Sequence, residues 1–560
     1  MGASVVDEVS ETIAVGAEAL FAMRRQDGVF DFGAKDWTST LATVGAITAL
    51  HFADPARSAG LVEAGARWLC RTQYDDGGWS TIPGVAPEAG PTAVATAALH
   101  VLAPRAAEKT VRAGLAWLDA FGGIDAIDHR DMAAACRQFF VLAGWLDPAT
   151  LPRIPGELAL FPPLFRVLTD FRAPIVGAAA LAQARQRRQG PVCRLVNAMA
   201  RPAILSVLRQ IYEHEGRTGE FSQDPWACGL ICRALVRAGA APDLVASSVE
   251  WLRSQANPDG SWNMIPLDLT WSSYAASGLI EAGYAGDGRL EPVKAMFHAR
   301  QQHRPFTAFG CQPGFWSWSG ARGWPVSLES AEVVSALARM PGGQDDDDVR
   351  SGVRWLSSQQ DSRGSWSLCV RNTRVDNCGP CPHITTQAVN ALLDSGVSTE
   401  DRRVSKAIRW LLTTQRGDGS FDSLWYRTFT AGTSVVLETL VRTGLAAHPV
   451  AVRARDWLMR AQLPDGSWST GDSTAPGTVE ETGWAVRALL AAGLGSDDPR
   501  IRRGVAWLLD ARQPTGHWPA AAISDFVRNA SRYPNGGLTD GLALRALARF
   551  RAAAQRRAVS

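Results

Sequence analysis

A single carboxylate, Glu329, stands at the predicted beginning of a helix, directly after an aromatic segment. That segment, residues 315–325, contains three tryptophans and ends in a proline, and the Ser327 side chain behind it is typical of a helix N-cap. Aromatic faces attract cations and a buried carboxyl group can hold a proton, so the arrangement suits cationic chemistry. An ordinary loop packed on a core would show the same residues.

Three further titratable groups are candidates for the same chemistry. Glu481 and Asp540 each stand at the predicted head of a helix, and His383 closes a loop that begins at Cys378. A carboxyl group in an apolar cavity has a raised pKa and can act as a general acid at neutral pH. We predict Glu329, His383, Glu481 and Asp540 as the catalytic set, with Glu329 beside His383 as the first choice. The alternative is that these carboxylates only cap their helices.

The loop Cys378-Gly-Pro-Cys381-Pro-His383 admits three interpretations. Its Cys-x-x-Cys spacing beside a histidine is compatible with a zinc ion or with a redox-active dithiol. Neither has its expected context, because no second paired cluster follows at zinc-ribbon spacing and no strand precedes the loop. The third interpretation is a proline-stiffened loop that positions His383. We expect no metal ion and no cofactor.

Four consecutive aspartates, from Asp345 to Asp348, offer an alternative acid. They precede a segment that ends in Trp355-Leu356, and acidic residues hold the same position before other segments of that kind. Negative charge at this position interacts favourably with the helix dipole. The interpretation as helix capping is therefore preferred over catalysis. Asp131 and Asp224 stand at comparable helix heads earlier in the chain.

Composition limits the possible functions. The chain has 560 residues and a mass of 60.1 kDa, with 20% charged and 46% hydrophobic residues, as in folded globular proteins. A formal charge of +2 gives no indication of a nucleic-acid partner. Nine cysteines, an odd number, fit reduced thiols in the cytoplasm. We expect no signal peptide and no membrane span, and a cytoplasmic protein that contacts a membrane surface at most.

A repeat runs through the whole chain. Segments that end in Trp-Leu, with apolar residues at helical spacing, recur before a turn that contains Gln, Gly and an aromatic residue. A helix rich in small residues follows each turn, and no alternating strand pattern competes with it. The sequence predicts an all-α chain of helix pairs. The turns with the pattern Gln-x-x-x-Gly-x-aromatic run from Gln73 to Trp79, Gln360 to Trp366, Gln415 to Phe421 and Gln462 to Trp468.

The residues of the turn have a physical reading. Glycine lets the chain reverse after the outer helix, and the aromatic ring covers apolar surface of the neighbouring pair. The glutamine amide can donate and accept at free groups of a helix end. Such turns would hold helix pairs together around a ring.

Repeated Gln-x-x-x-Gly-x-Trp turns between paired helices resemble the QW motif of class II terpene cyclases, in particular squalene–hopene cyclases. The resemblance implies two α/α-barrel domains of helix-pair repeats, one inserted in the other. The implied division is 1–35 with 290–560 as the domain that carries the active-site helix heads, and 36–289 as the inserted domain.

The resemblance also locates a changed catalytic motif. The family protonates its substrate with the middle Asp of Asp-x-Asp-Asp-Thr-Ala, and that motif falls on residues 326–331. Leu328 then occupies the proton donor's position, and Glu329 matches the last Asp. His383 and Gln387 stand where the family has an Asp and a His that hydrogen-bond the acid. The family's usual proton donor is therefore absent, and squalene cyclisation by the usual trigger is not expected.

A linear polyprenyl substrate, epoxidised or linked to an aromatic group, is the expected partner, and acid-triggered carbocation cyclisation, an isomerase reaction, is the expected activity. The segments 158–183 and 192–208 are candidates for contact with a membrane surface, and buried core helices are the alternative. Two alternatives remain: a cyclase that uses the aspartates 345–348, and an isoprenoid-binding protein without activity. The predicted substrate-binding residues are Phe315, Trp316, Trp318, Trp324, Leu328, Trp271, Trp425 and Gln387.

Overall fold

A computed structural model describes residues 2–33, 37–187, 189–320, 322–427, 429–469, 475–527 and 531–559. In this part of the chain the structure is built from helices, and two short strands form the only named sheet. The prediction of an all-α chain of helix pairs is confirmed.

The α-helices, numbered in chain order, are α1 (Gly2–Met23), α2 (Thr40–Ala53), α3 (Pro55–Arg71), α4 (Ala89–Leu102), α5 (Glu108–Phe121), α6 (Arg130–Leu142), α7 (Pro162–Thr169), α8 (Ala173–Gln186), α9 (Pro191–His214), α10 (Pro225–Ala238), α11 (Pro242–Ser254), α12 (Asp268–Leu279), α13 (Glu291–Ala299), α14 (Ser327–Arg339), α15 (Asp347–Gln359), α16 (Pro382–Asp394), α17 (Arg402–Leu411), α18 (Phe429–Arg442), α19 (Pro449–Arg460), α20 (Val479–Ala491), α21 (Pro499–Asp510) and α22 (Gly536–Val559). The antiparallel strands are β1 (Ser524–Val527) and β2 (Ser531–Tyr533). A π-helical segment covers Ile280–Tyr284, and short 3₁₀ segments cover Ile124–Ala126, Pro148–Thr150, Gly156–Leu160, Asp170–Arg172, Gly288–Leu290, Gly343–Asp345 and Asp376–Cys378.

Six helices form a closed inner ring. In order around the ring they are α12, α14, α16, α18, α20 and α22, and α22 packs back against α12. The outer helices α13, α15, α17, α19 and α21 pack against their neighbours in the ring, and α1 packs on α22. Such a ring of paired helices is an α/α-barrel.

A second set of helices, α2 to α6 and α8 to α11, packs together in the first half of the chain. Here α10 packs between α2 and α8, and α4 packs between α2 and α6. The outer helices α3, α5, α9 and α11 cover them from outside. This is the predicted second barrel.

The position of α12 bears on the domain division. The sequence interpretation places the boundary at 289/290, whereas α12 (Asp268–Leu279) is a member of the ring formed by later helices. We propose that the boundary of the inserted domain lies in the segment before Asp268.

Glycine allows the closest helix contacts in both barrels. A Cβ atom on Gly229 of α10 would lie 2.2 Å from the Gly45 carbonyl oxygen of α2. In the ring, a Cβ atom on Gly278 of α12 would lie 2.6 Å from Gly541 Cα of α22. Real atoms do not approach so closely, so any side chain at these positions would push the inner helices apart.

The repeated turns are held by two kinds of hydrogen bond. In the turn after α19, Trp468 Nε1 donates to the Leu458 carbonyl at 2.8 Å, which fastens the turn to the preceding outer helix. Gln462 Nε2 donates to the carbonyls of Gly466 and Arg500, both at 2.9 Å, and so reaches the next outer helix. The same pairs of bonds recur at the turns that contain Gln73 with Trp79 and Gln360 with Trp366.

Exposed apolar residues are concentrated on α7, on the N-terminal half of α9 and on the 3₁₀ segment Gly156–Leu160, which packs against both helices. Among the described helices, α9 alone has the length and composition to cross a membrane, and only 17% of its most apolar window is buried. The exposed apolar side chains in this region are Leu160, Phe161, Leu164, Leu168, Val192, Leu195 and Met199.

We expect the hydrogen bonds of the turn glutamine to contribute measurably to the free energy of unfolding. Gln360→Ala removes the bonds from Nε2 to the Gly364 and Arg403 carbonyls, each 2.9 Å long. Because partly buried carbonyls then lack a donor, we expect the free energy of unfolding to fall by about 1–3 kcal/mol. Urea unfolding measures this change. Gln210→Ala, at an exposed position of α9, is the matched control, and an equal loss in both variants would contradict the assigned role.

Candidate active site

A cavity of about 670 Å³ extends from the ring into the inserted barrel. Its wall combines residues of α6, α8 and α10 with the segment before α14, the beginning of α14, and the ends of loops from the ring. On the ring side the wall consists of Ile265, Leu267, Thr270, Trp318, Trp324, Val326, Leu328, Glu329, Leu368, Asn377, Trp425, Tyr426, Asp525 and Tyr533.

Glu329 presents a carboxyl group to this cavity from the first turn of α14. Its side chain is buried, and Thr270 of α12 donates its hydroxyl to Glu329 Oε1 at 2.8 Å. Oε2 has no hydrogen-bond partner among the described residues. Burial raises the pKa of Glu329 to about 7, against the hydrogen bond from Thr270, which lowers it. The carboxyl group can therefore carry a proton near neutral pH.

Backbone contacts fix the head of α14. Val326 N donates to the Trp316 carbonyl at 3.2 Å, and Ser327 N donates to the Leu368 carbonyl at 2.7 Å. Val326, not Ser327, occupies the N-cap position, and the Ser327 hydroxyl is buried without a hydrogen-bond partner among the described residues. The predicted Ser327 cap is therefore corrected. An apolar cap leaves the first turn without a side-chain acceptor, and the two backbone bonds hold it instead.

Five aromatic residues line the same cavity as Glu329. Trp318, Trp324, Trp425, Tyr426 and Tyr533 all line the cavity. Three of them, the tryptophans, were predicted substrate-binding residues, and the structure places them on the wall together with Leu328. Tyr533 lies on β2, a strand in a helical protein, and no sequence pattern that we used points to it. Ala321, in the aromatic segment 315–325, lies outside the described residues.

Trp324 is held by a buried carboxyl group of the inserted domain. Its indole Nε1 donates to Glu215 Oε1 at 2.9 Å, and the backbone N–H groups of Ser222 and Phe221 donate to the same carboxyl group at 2.6 and 3.0 Å. Burial raises the pKa of Glu215 to about 8 although these donors lower it. The bond fixes the ring that Trp324 presents to the cavity.

The other acids on the wall already have partners. Asp131 forms an ion pair with Arg172, and Asp525 accepts from Arg427 Nε at 2.7 Å. Asp224 caps α10 by accepting from Trp226 N at 3.0 Å, and burial raises its pKa to about 7. Glu329 differs from these three because one of its carboxyl oxygens, Oε2, has no hydrogen-bond partner among the described residues.

Several residues predicted on the wall lie in the core instead. Trp316 donates its Nε1 to the Phe297 carbonyl at 2.7 Å, the bond that the tryptophans of the repeated turns make. Gln301 Nε2 reaches the Gly314 and Asp348 carbonyls, as the turn glutamines do. The segment that contains Trp316 is therefore a turn of the same kind with a longer loop, and its tryptophan serves the fold.

Phe315, Trp271 and Gln387 also take other positions. Phe315 is buried against Trp355, with ring centroids 5.7 Å apart. Trp271 packs on Trp37 at 4.7 Å, behind the cavity-lining Ile265 and Tyr533. Gln387 Nε2 donates to Glu332 Oε1 at 2.6 Å and to the Tyr274 hydroxyl at 3.3 Å. These contacts correct the expectation that the three side chains line the wall.

His383 lies behind the aromatic wall. Its ring packs on Tyr426 at 5.0 Å and on Trp484 at 6.0 Å between centroids. Burial lowers the pKa of His383 to about 3, so the ring is neutral at physiological pH. The described hydrogen bonds include none between His383 and Glu329. The structure thus places His383 as a support for Tyr426, and its predicted pairing with the acid remains a prediction.

Glu481 and Asp540 are fastened to their helix ends. Thr478 donates its hydroxyl to Glu481 Oε2 at 3.1 Å, and Glu481 N donates back to the Thr478 hydroxyl at 3.2 Å, a reciprocal capping pair. Asp540 accepts from Trp518 N at 2.9 Å and contacts His517 Nδ1 at 2.7 Å. Both carboxylates are therefore bound to groups that stabilise the ring.

The aspartates 345–348 lie at the start of the outer helix α15. Asp346 occupies the N-cap and accepts from Asp348 N at 2.8 Å and from Val349 N at 3.3 Å. Asp346 and Asp348 also contact His298. These contacts agree with helix capping. Cys378 and Cys381 are buried and are not joined in a disulfide.

The chain matches two family models, the squalene-hopene cyclase N-terminal domain over residues 13–172 and the squalene-hopene cyclase C-terminal domain over residues 367–526. Together the two matches cover more than half of the chain. The chain therefore belongs to the squalene–hopene cyclase family of class II terpene cyclases, as the repeated turns indicated.

Individual relatives are distant. Enfumafungin synthase from Hormonema carpetanum is 26% identical over 305 residues, which cover 46% of this chain and 23% of that protein. A squalene–hopene cyclase from Alicyclobacillus acidocaldarius is 24% identical over 545 residues, 81% of this chain and 83% of that protein. Several other relatives are matched over only part of their length, with 36% and 33% of them covered. The solved structure of ent-copalyl diphosphate synthase from Streptomyces platensis superposes with a TM-score of 0.51 at 18% identity, and covers 97% of this chain and 99% of its own, so the two share the fold.

The raised pKa of Glu329 predicts a pH-dependent stability. The folded protein keeps this proton up to about pH 7, whereas an unfolded chain releases it near 4.5. The contribution of Glu329 to the free energy of unfolding therefore falls as pH rises from about 4.5 to 7. Glu329→Gln stays neutral, so we expect the variant to gain up to about 3 kcal/mol relative to the wild-type protein between pH 4 and pH 8.

Urea unfolding of both proteins at pH 4, 6 and 8 measures this difference. Glu63→Gln, at a side chain 72% exposed on α3, is the control and should show no such change. A difference between Glu329→Gln and wild type that is constant with pH would show that Glu329 is not held protonated.

Proposed function

We propose that the protein is a cyclase for a linear polyprenyl substrate and that Glu329 supplies the proton that starts the carbocation. The observation that supports this most is the buried Glu329 carboxyl group, with one unpaired oxygen and a pKa of about 7, which lines the same cavity as five aromatic residues. Family membership makes a cyclase the expected reaction class. The chain's own residues suggest the acid and the cavity.

In the proposed reaction, the Glu329 Oε2 proton passes to the end of the polyprenyl chain. The C–O bond of a terminal epoxide breaks as its oxygen takes this proton, and successive double bonds supply electron pairs for the new C–C bonds. The last cation loses a proton, so the product is an isomer of the substrate and no co-reactant is consumed. Thr270 holds the other carboxyl oxygen at 2.8 Å and so fixes the direction of the donated proton.

The aromatic wall would stabilise the passing cation. Trp318, Trp324, Trp425, Tyr426 and Tyr533 line the same cavity as the acid. A desolvated cation gains about 2 kcal/mol from such a ring face. Apolar residues such as Leu328, in the position of the family's proton donor, exclude water that would trap the cation.

A carboxyl group with a pKa near 7 is a weak acid, and this favours an epoxide over an unactivated alkene. Epoxide opening relieves ring strain and leaves the positive charge on carbon after the oxygen has been protonated. An alkene requires a stronger donor, and the residue in the usual donor's position is Leu328.

Glu329→Gln keeps the shape of the side chain and removes the transferable proton. Because general acid catalysis contributes typically 10²–10⁴-fold, we expect turnover of an epoxidised polyprene to fall by about that factor with substrate binding retained. Product analysis by mass spectrometry, after incubation with oxidosqualene and with terminally epoxidised geranylgeranyl compounds, measures this. Thr270→Val should cause a smaller defect.

Matched carboxylate variants complete the experiment. Glu481→Gln, Asp540→Asn and replacement of the aspartates 345–348 by asparagine should leave turnover largely intact, because these groups hold helix ends. If Glu329→Gln turns over substrate at the wild-type rate and one of the other variants is inactive, the residue replaced in that variant is the proton donor. Absence of cyclic product from every substrate with the wild-type protein would favour an isoprenoid-binding protein.

We also propose that the exposed apolar surface of α7 and α9 rests on a membrane, from which a polyprenyl substrate would be taken. Leu195 and Met199 of α9 are 63% and 57% exposed, an unusual degree for large apolar side chains. Arg194 and Arg201 are exposed on the same helix, where they would approach anionic lipid.

The double variant Leu195→Asp/Met199→Asp should therefore bind anionic lipid vesicles more weakly than wild type in a sedimentation assay. Each acidic replacement removes apolar surface that would be buried in the membrane and adds a negative charge that the anionic lipid repels. We therefore expect the affinity for vesicles to fall roughly tenfold or more. Val5→Asp, at another exposed apolar side chain on α1, is the control. Equal binding by all three proteins would exclude this surface as the docking site.

A further inference from the structure

The end of the cavity inside the inserted barrel is lined by arginines. Arg187 of the segment after α8, together with Arg233 and Arg237 of α10, contributes to the wall there. Polar side chains from α6 and α8 accompany them, namely Gln138, Gln183 and Gln186. This polar end contrasts with the aromatic end that contains Glu329.

These arginines have no acidic partner among the described residues. Arg233 is only 4% exposed, and its Nη1 has no hydrogen-bond partner there. Its guanidinium stacks over the Phe139 ring at 4.2 Å. Arg237 meets the Gln186 amide, whose oxygen, once the amide is turned to face the guanidinium, accepts from Nε at 2.7 Å. Arg187 donates to the Leu151 carbonyl.

At this end of the cavity, buried positive charges lie close together without an acidic partner among the described residues. Burial and, to a smaller extent, the positive charge of Arg237 together lower the pKa of Arg233 to about 9. A buried charge is costly unless it is paired, and here two guanidinium groups of like sign lie together. Two of the acids on the wall, Asp131 and Asp525, are bound to Arg172 and Arg427 at the ring end of the cavity.

The two ends of the cavity are separated along the helices of the inserted barrel. The beginning of α6 faces the ring, since the His129 ring at its N-cap lies 2.6 Å from Asn377 Nδ2. On α10, Asp224 stands at the first turn and Arg233 nine residues further on, an axial distance of about 14 Å. An elongated molecule can therefore reach both the acid and the arginines.

We propose that the arginine end binds an anionic head group of the polyprenyl substrate, while the opposite end of the chain lies against Glu329. This inference rests on the proposed function and deepens it by naming the substrate class. Guanidinium groups present paired N–H donors that match the oxygens of a phosphate or a carboxylate. A wholly hydrocarbon chain would leave Arg233 buried and unpaired.

Three terminally epoxidised substrates separate the possible head groups. Oxidosqualene is neutral, epoxidised geranylgeranyl diphosphate carries a diphosphate, and epoxidised geranylgeranyl dihydroxybenzoate carries a carboxylate. We expect kcat/KM to be greatest for one of the two anionic substrates, and which one is preferred identifies the head group. Calorimetry with inorganic pyrophosphate measures anion binding without turnover.

Arg233→Gln and Arg237→Gln should each raise KM for the preferred anionic substrate roughly tenfold to a hundredfold, because each removes charge-assisted hydrogen bonds to that substrate. The increase in KM should be smaller for oxidosqualene, which carries no charge for the guanidinium groups to bind. Arg233→Lys keeps the charge and should retain part of the affinity. Arg209→Gln, at an exposed α9 arginine 47% accessible and paired with Asp243, is the matched control, and thermal unfolding verifies that each variant folds.

The outcomes distinguish this inference from the proposed function. Cyclisation of oxidosqualene without turnover of either anionic substrate would overturn the head-group site and leave the cyclase proposal standing. Affinity for the anionic substrates that is unchanged in both Arg233→Gln and Arg237→Gln would also overturn it. Arginine-dependent binding of pyrophosphate or of either anionic substrate, without cyclic product from any substrate, would support the site and contradict the proposed reaction.

Discussion

The hydrogen bond from a buried indole to a carbonyl of the preceding helix is the constraint on which the barrels depend. It recurs at Trp79, Trp262, Trp366, Trp468 and Trp518, always to the residue ten positions earlier. Because each of these bonds sets the direction in which the chain leaves an outer helix, it sets where the next inner helix begins. The positions of the helix heads, and so of the cavity wall, follow from these turns.

Buried carboxyl groups at helix heads perform different tasks in this frame. Glu480 accepts from the Thr539 hydroxyl of α22 and from Ala521 N, and Glu481 accepts from the hydroxyl of its own N-cap, Thr478. Asp540 accepts from Trp518 N and contacts His517. Glu329 stands in a comparable position but receives only the Thr270 hydroxyl on one oxygen. Glu480 and Asp540 each have two polar partners, so the number of partners distinguishes these two groups from Glu329, because burial is common to them. A carboxyl group at a helix head becomes a candidate acid when the surrounding loops place few hydrogen-bond donors beside it.

The repeats made the helix pairs and their turns predictable, since Gln, Gly and Trp recur at fixed spacing. Glu329, Trp318, Trp324 and Trp425 were predictable from one segment and a family resemblance. Trp316 was misplaced because its turn glutamine, Gln301, is separated from Gly314 by a longer loop that hides the motif. Tyr533 could not be found from helical periodicity because it lies on a strand.

The arginine end of the cavity was equally hidden. Arg233 and Arg237 stand in the last turns of α10, where basic residues are ordinarily favoured by the helix dipole and exposed to water. Only the packing of α10 against α2 and α8 shows that Arg233 faces inward. Such a burial depends on contacts between distant segments, which a local pattern does not contain.

The pairing of α12 with α22 has a consequence for how the molecule forms. The ring closes only where Gly278 meets Gly541, so its last contact joins segments from the middle and the end of the chain. Until α22 packs against α12 and α20, the helices α14 to α20 therefore form an open arc whose inner faces are exposed to water. Closing so long a loop is entropically costly, and this contact belongs late in folding. The inserted barrel also depends on a distant pair, α2 with α10, but this pair closes a shorter stretch of chain than α12 with α22, so this barrel can assemble first and offer a surface on which the arc is completed.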